Sequence, residues 1–434
     1  MRAYFDRASQ SGPKAAWTHC LARWVCVCLS VGLAVPVEAE LKLTDADRVL
    51  FFGATPFWPA TYSARVETFL RVKYPALKTR FWHWAPPQRA TTADAGPVLG
   101  RHLQAFKPTL VVLNFGLHHG HSEPLRPARL EQFRGELLDL IEVCRQAGAK
   151  VVLVTPSYPE ADKKLNLQQA RYDQVVGAYA DAVRKIGQEL DLDVVDWFTA
   201  ASDHAQAMKS GQAPVEKLTI DGITPAPLGS AIGAEQVLSY LGAEPLTVEL
   251  SLDWAAAQAS TTAGDIQVVR RSDTTVALGT NNLPVPWCVS GRGRRVHLNR
   301  PGSAMCRYQL RIENLPPGDV LISRPGGKGV TYSQSTAARG IDLTFSKALI
   351  ANQAVAQLLE RIKYKNLSAD HFERMLRKPA LHPEYAESNE MFLKALTAEA
   401  EAGAKVVDRT DRTMTVVLEI EHQPGATGKT DGGE

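Results

Sequence analysis

Residues 46–243 predict an α/β fold, a parallel sheet covered by helices on both faces, and two observations carry that expectation. First, five short apolar runs recur along this span: RVLFFGA, KTRFWHW, TLVVLNFG, KVVLVTPS and DVVDWF. Second, amphipathic segments separate them, among them SARVETFLRVKY, LEQFRGELLDLIEVCRQAG and ARYDQVVGAYADAVRKIGQELD. A strand that is apolar at nearly every residue is buried on both sides, as strands of helix-covered parallel sheets are. In the middle amphipathic segment Phe133, Leu137, Leu140, Ile141 and Cys144 recur at helical spacing. On such a sheet, ligands sit beyond the carboxyl ends of the strands, where the loops gather.

The flanking segments read differently. Arg2, Arg7, Lys14 and Arg23 precede an apolar stretch over 24–35 that is too short to span a membrane, and Val37-Glu38-Ala39 offers a small-x-small cleavage site. Residues 1–39 are therefore expected to be a signal peptide. The mature chain then starts at Glu40, exported to the periplasm or beyond and free of the membrane. Past Pro245, LTVELSLD, IQVVRRSDTTVAL, RYQLRIENL and DVLISR alternate apolar and polar residues between Gly, Pro and Asn, which predicts a small β-rich, sandwich-like domain over 244–343. Residues 344–434 are expected to be a helical extension, ending in a disordered tail, QPGATGKTDGGE.

Composition narrows the function classes. The 434 residues are 45% hydrophobic and carry a net charge of +3, enough for a full core and for more than one domain. No basic run interleaved with aromatics is present, so a nucleic-acid partner is not expected. Cys20, Cys26 and Cys28 leave with the signal. Cys144 suits core packing, and Cys288 and Cys306 can pair in an oxidising compartment. Cysteine spacing supports no zinc site, and no cofactor is implied.

Four loops carry the functional question: Gly53-Ala54-Thr55, the stretch FWHWAPPQ, Gly116-Leu117-His118, and Asp221-Gly222-Ile223-Thr224. With RVLFFG, VVLNFG, ARYDQVVGAYADAV, VVDWF and DGITPAPLGSAIGAEQVL in order around them, residues 46–243 resemble the SGNH, or GDSL-like, esterase and lipase superfamily. The resemblance implies a flavodoxin-like three-layer hydrolase domain acting on a small-molecule or carbohydrate ester. In that family a Gly-Asp-Ser block supplies the nucleophile, a glycine and a Gly-x-Asn block donate to the oxyanion, and an Asp-x-x-His block supplies the base and its orienting carboxylate.

This chain departs from the pattern at each block. Thr55 stands at the nucleophile position, where its methyl crowds attack and fixes χ1. No glycine can be placed in FWHWAPPQ, and His118 replaces the asparagine. Asp221 is kept, but Thr224 replaces the histidine, and a threonine cannot take a proton from a hydroxyl at neutral pH. Thr55, Asp221 and His118 are thus the degenerate counterparts of catalytic positions. Gly53, Gly116, His119, Trp58 and Trp84 are candidate binding residues, with Phe57 and Trp82 near the same mouth.

Plainer roles stand beside these. Thr55 suits a turn hydroxyl, Asp221 a cap before the helix near Pro227, the aromatics core packing, and His118, His119 and His121 a solvated loop. Three hypotheses follow: a non-catalytic binding or structural module, an esterase using Thr55 and a relocated histidine, and a metal-assisted hydrolase built on the histidine cluster with His83.

Overall fold

The computed structural model describes residues 40–53, 61–84, 91–160, 171–213, 215–287, 305–344, 353–376 and 388–425. Five strands form the parallel sheet that the apolar runs predict: β1 (Arg48–Gly53), β2 (Arg80–Trp84), β3 (Leu110–Asn114), β4 (Lys150–Val154) and β5 (Val194–Val195). Their order is β2-β1-β3-β4-β5. From β1 the chain first adds a strand on one side and then crosses to the other, so the ends of β1 and β3 flank a topological switch point.

Among the described residues, α1 (Thr61–Lys73), α2 (Thr92–Phe106), α3 (Pro127–Gln146) and α4 (Tyr172–Leu190) lie between these strands, and α5 (Trp197–Lys209) and α6 (Pro227–Tyr240) follow the last of them. Proline opens α3 and α6, where its missing N–H removes no helical bond. The α3 stripe of Phe133, Leu137, Leu140, Ile141 and Cys144 is buried as its spacing predicts.

Alternation along β1 sorts its side chains into two cores. Val49 and Phe51 face one with α1 and α6, while Leu50 and Phe52 face the other with α2, α3 and α4. The first core continues without a break into the segment beyond residue 244 through Leu246, Val248, Tyr308 and Ile420.

Two sheets occupy that segment. One has four strands: β6 (Leu246–Asp253), β7 (Gln258–Thr261), β10 (Cys306–Glu313) and β13 (Ile341–Asp342), ordered β13-β10-β6-β7. The other has five: β8 (Asp265–Arg270), β9 (Thr275–Pro284), β11 (Asp319–Ser323), β12 (Val330–Tyr332) and β14 (Thr413–Gln423), ordered β12-β11-β14-β9-β8. A short helix, α7 (Gln334–Arg339), precedes β13.

The pairing is not wholly antiparallel as the pattern suggests. β6 and β10 run parallel, because the chain visits β7, β8 and β9 before it returns. After residue 344 come α8 (Gln353–Leu376) and α9 (Asn389–Asp408). The strand β14 then lies at the centre of the five-stranded sheet, within the stretch expected to be a helical extension.

The hydrolase-like part and the C-terminal part are tied by buried polar contacts. Trp287 Nε1 donates to the Arg65 carbonyl of α1 at 2.7 Å, and its ring meets Phe69 edge-on. Lys365 of α8 reaches Glu67 of α1 at 2.6 Å and also donates to the Phe81 carbonyl of the edge strand β2. Cys144 is buried, which pushes its thiol up to about 12, and Cys306 is a free thiol. The expected Cys288–Cys306 pairing involves a residue outside the described ones, as do the signal segment and the C-terminal tail. Among the described residues no helix is long and apolar enough to cross a membrane.

Candidate active site

The loops at the carboxyl ends of the strands are held close by β1 and β3. A Cβ on Gly53 would lie 2.1 Å from the Asn114 carbonyl oxygen, so only glycine lets β1 end against β3 at this point. Asn114 in turn donates from Nδ2 to the carbonyls of Val154 and Thr155, binding the end of β3 to that of β4. Gly116 then turns the chain at φ +114°, packed against Pro156 and Tyr179. Thr55, Phe57 and Trp58 lie outside the described residues.

Of the histidine turn, only His121 is solvated as expected. His118 and His119 are each 6% exposed. The loop folds inward beneath α3 and α4: Tyr172 donates to the Leu117 carbonyl at 2.7 Å, and the His119 ring packs edge-on against Phe133 at 4.6 Å. His119 Nε2 accepts from the Thr92 N–H at 3.0 Å, while the Thr92 hydroxyl donates to Glu136. That fixes His119 as the Nδ1–H tautomer and makes it an acceptor at the start of α2. Among the described residues no group of three or more His, Cys, Asp or Glu side chains could hold a metal ion.

The Asp221 loop is closed on itself. Asp221 Oδ1 accepts from the Thr224 N–H at 2.6 Å and the Ile223 N–H at 3.0 Å, and the Thr224 hydroxyl donates to Oδ2 at 2.9 Å. The carboxylate therefore holds its own turn and does not cap α6, whose N-cap, Ala226, has no side-chain bond. Burial acts to raise the Asp221 pKa, yet the bonds from Thr224 and Ile223 leave it below the usual carboxylate value. Glu160, on the loop after β4, clamps this turn by accepting from the Thr219 N–H and hydroxyl, both at 2.7 Å, and by donating its N–H to the Gly222 carbonyl.

Trp84 does not line a mouth. It is 5% exposed and stacked on Phe52 at 4.3 Å, because the last residue of β2 points into the core shared with α2. Trp82 is half-buried and stacks on Phe106 at 4.7 Å.

Two features escaped sequence reasoning. Ser63, in the first turn of α1, lies with its hydroxyl 2.9 Å from His83 Nδ1 on β2. This serine–histidine contact is buried, at 2% and 6% exposure. Burial, with help from the Lys365 and His102 charges, pushes His83 down to about 3, far too weak a base to draw a proton from a hydroxyl at neutral pH. Its only sequence signal is a serine soon after the glycine end of β1. The second feature is a cavity of about 540 Å³ beside the closed loop, lined by Tyr158, Glu160, Arg171, Asp173, Met208 and Glu216. Ser157, next to it, has a buried hydroxyl with no hydrogen-bond partner among the described residues.

Comparison with known proteins agrees with this layout. The profile of the GDSL-like Lipase/Acylhydrolase family matches residues 53–232. A gut microbial diltiazem-metabolizing enzyme has a similar structure, with a TM-score of 0.62 at 13% identity, over 89% of this chain and 100% of its own. A catalytic mutant of an acetylxylan esterase from Geobacillus stearothermophilus aligns at 20% identity over 47% of this chain and 97% of its own, with a TM-score of 0.39. An alpha/beta hydrolase enzyme from the metagenome of Lake Arreo, Spain, aligns at 16% identity over 47% and 99%, also at 0.39. A search of curated proteins finds no match. The profile match, the five-stranded parallel sheet and the loops gathered at its switch point make residues 53–232 an SGNH/GDSL-like hydrolase domain.

Proposed function

We propose that the hydrolase-like domain is catalytically degenerate and serves to bind a small-molecule or carbohydrate ester rather than to cleave it. The observation that carries this reading is the Asp221 turn, in which the carboxylate that should orient a histidine is bonded to Thr224. A hydroxyl nucleophile without an adjacent base is weak, and a triad lacking one member keeps only about 10³–10⁴-fold rate over water. Two nearby imidazoles do not replace the base: His119 Nε2 is engaged by Thr92, and His83 is too weakly basic. The cavity of about 540 Å³ beside the turn is of a size that suits a small ligand. The N-terminal pattern supports export of the mature chain.

The alternative is an active ester hydrolase using Thr55 and a relocated histidine. One observation favours it: His118 is buried at the strand end where the family places an oxyanion donor.

Hydrolysis of short-chain aryl esters and acetylated xylan by residues 40–434 separates the two readings. It should be run beside Thr55→Ala, His118→Ala and a Thr55→Ser/Thr224→His double variant. The expected result is a silent wild type. Wild-type hydrolysis that disappears in Thr55→Ala overturns the binding reading, and its loss in His118→Ala as well puts His118 in the catalytic machinery, as base or oxyanion donor.

A further inference from the structure

At the opposite end of β2 lies a second cavity, of about 720 Å³, between residues 45–82 and the segment formed by α9 and the start of β14. Five cations line it: Arg71, Lys78, Arg80, Lys405 and Arg412. The carboxylates on its wall are Asp45, Glu401 and Asp408, so positive charge is in excess by two.

Those carboxylates are already engaged. Asp408 lies 2.7 Å from Arg71 and 3.8 Å from Arg412. Glu401 lies 3.7 Å from Arg80, and Asp45 accepts the backbone N–H of Lys78. The Lys78 and Lys405 ammonium groups are left without a carboxylate partner among the described residues. Burial and the Arg71 charge hold the Arg412 pKa below the ordinary guanidinium value, as a positive field with too little countercharge does. Trp82, half-buried and backed by Phe106, adds a flat aromatic face to the same wall.

We propose that this cleft binds an acidic saccharide, a ring ligand carrying sulfate or carboxylate groups. The cations meet its oxyanions and Trp82 meets the face of its ring. A concave site lined by one sign of charge focuses its field on a ligand of the opposite sign. Arg and Lys together offer both forked and point-charge donors to oxyanions. An aromatic face selects a ring over a bare ion. The site is distinct from the strand-end loops and does not depend on whether those loops hydrolyse anything.

Calorimetric titration of the mature chain with a sulfated disaccharide, the same disaccharide without sulfate, and inorganic sulfate tests the inference, with tryptophan fluorescence followed in parallel. The sulfated sugar should bind saturably at one site per chain, more weakly as salt is added, and at least tenfold more tightly than either other probe. Lys78→Gln and Lys405→Gln, exposed residues whose change leaves the fold intact by circular dichroism, should each weaken it roughly fivefold. Trp82→Phe should remove the fluorescence response.

Absence of saturable binding overturns the proposal. So does equal affinity for the unsulfated sugar or for inorganic sulfate. Binding untouched in both lysine variants places the ligand elsewhere and overturns it too.

Discussion

The two ends of strand β2 treat polar groups in opposite ways. Near its carboxyl end and at the neighbouring strand ends, three polar side chains close over short to moderate stretches of chain: Asp221 on its own turn, His83 on Ser63 20 residues away, and His119 on Thr92 27 residues away. Near its amino end, charges meet across the whole chain, with Glu67, Lys365 and Arg71 buried and Asp408 exposed. Lys365 and Glu67 are 298 residues apart, and Arg71 and Asp408 are 337 apart. Local closures can be rewired one loop at a time, which is how a family's catalytic blocks can change while the sheet persists. The charged seam holds the C-terminal helices to the hydrolase-like sheet, so a change there is felt by both.

Glu67 should therefore be the most damaging of these side chains to remove. It is 2% exposed and lies 2.6 Å from Lys365 and 2.8 Å from Arg71. Burial opposes its ionisation, but the two cations keep its pKa below the usual carboxylate value. Glu67→Ala leaves Lys365 buried without its counterion and Arg71 with Asp408 alone, at an expected cost of about 3–5 kcal/mol in denaturant unfolding. Glu67→Met combined with Lys365→Met should recover much of that loss, since the desolvation cost of the pair goes with it. A Glu67→Ala chain as stable as the wild type would remove the contrast between the two ends.

His83 gives the next largest effect, and it depends on pH. The folded state keeps this imidazole neutral down to about pH 3, against an ordinary value of 6.5. Between those values the unfolded chain binds more protons, so its contribution is complete above pH 6.5 and is lost as pH falls. The slope should be up to about 1.4 kcal/mol per pH unit. Measured from pH 6.5 to 5, above the range where Glu67 titrates, His83→Asn should give a shallower loss of stability than the wild type. Equal slopes would mean that water reaches the ring in the folded state.

The sequence made the sheet and its switch point readable because they rest on local signals: continuous apolar runs, and a glycine at the end of the first. The change at Thr224 was equally plain, since the Asp221 turn is formed by residues within three positions of each other. The solvated reading of the histidine turn holds for His121 and fails for His118 and His119. What buries His119 comes from elsewhere, Thr92 from 27 residues upstream and Phe133 from α3. Nothing in the sequence pairs Lys365 with Glu67, because a lone charge on a helix face usually points to water. The strand β14 did carry a signal. Met414, Val416, Leu418, Ile420 and His422 alternate inward along it, a period of two that sets it apart from the helix before it.

The smallest effect sharpens the comparison from the strand-end side. Thr224→Val keeps the shape of the side chain and the backbone bond to Asp221, and removes only the hydroxyl that donates to Oδ2 at 2.9 Å. Asp221 still accepts from the Thr224 and Ile223 N–H groups, so the turn should survive at a cost of about 1 kcal/mol. That is several-fold less than the loss of Glu67, although both changes remove a partner from a carboxylate. The difference lies in what is left behind: a carboxylate with two donors still in place, or a buried lysine with no carboxylate and an arginine that keeps one of two. If Thr224→Val instead unfolds the domain as Glu67→Ala should, the turn is a keystone of the fold, and stability holds threonine at position 224.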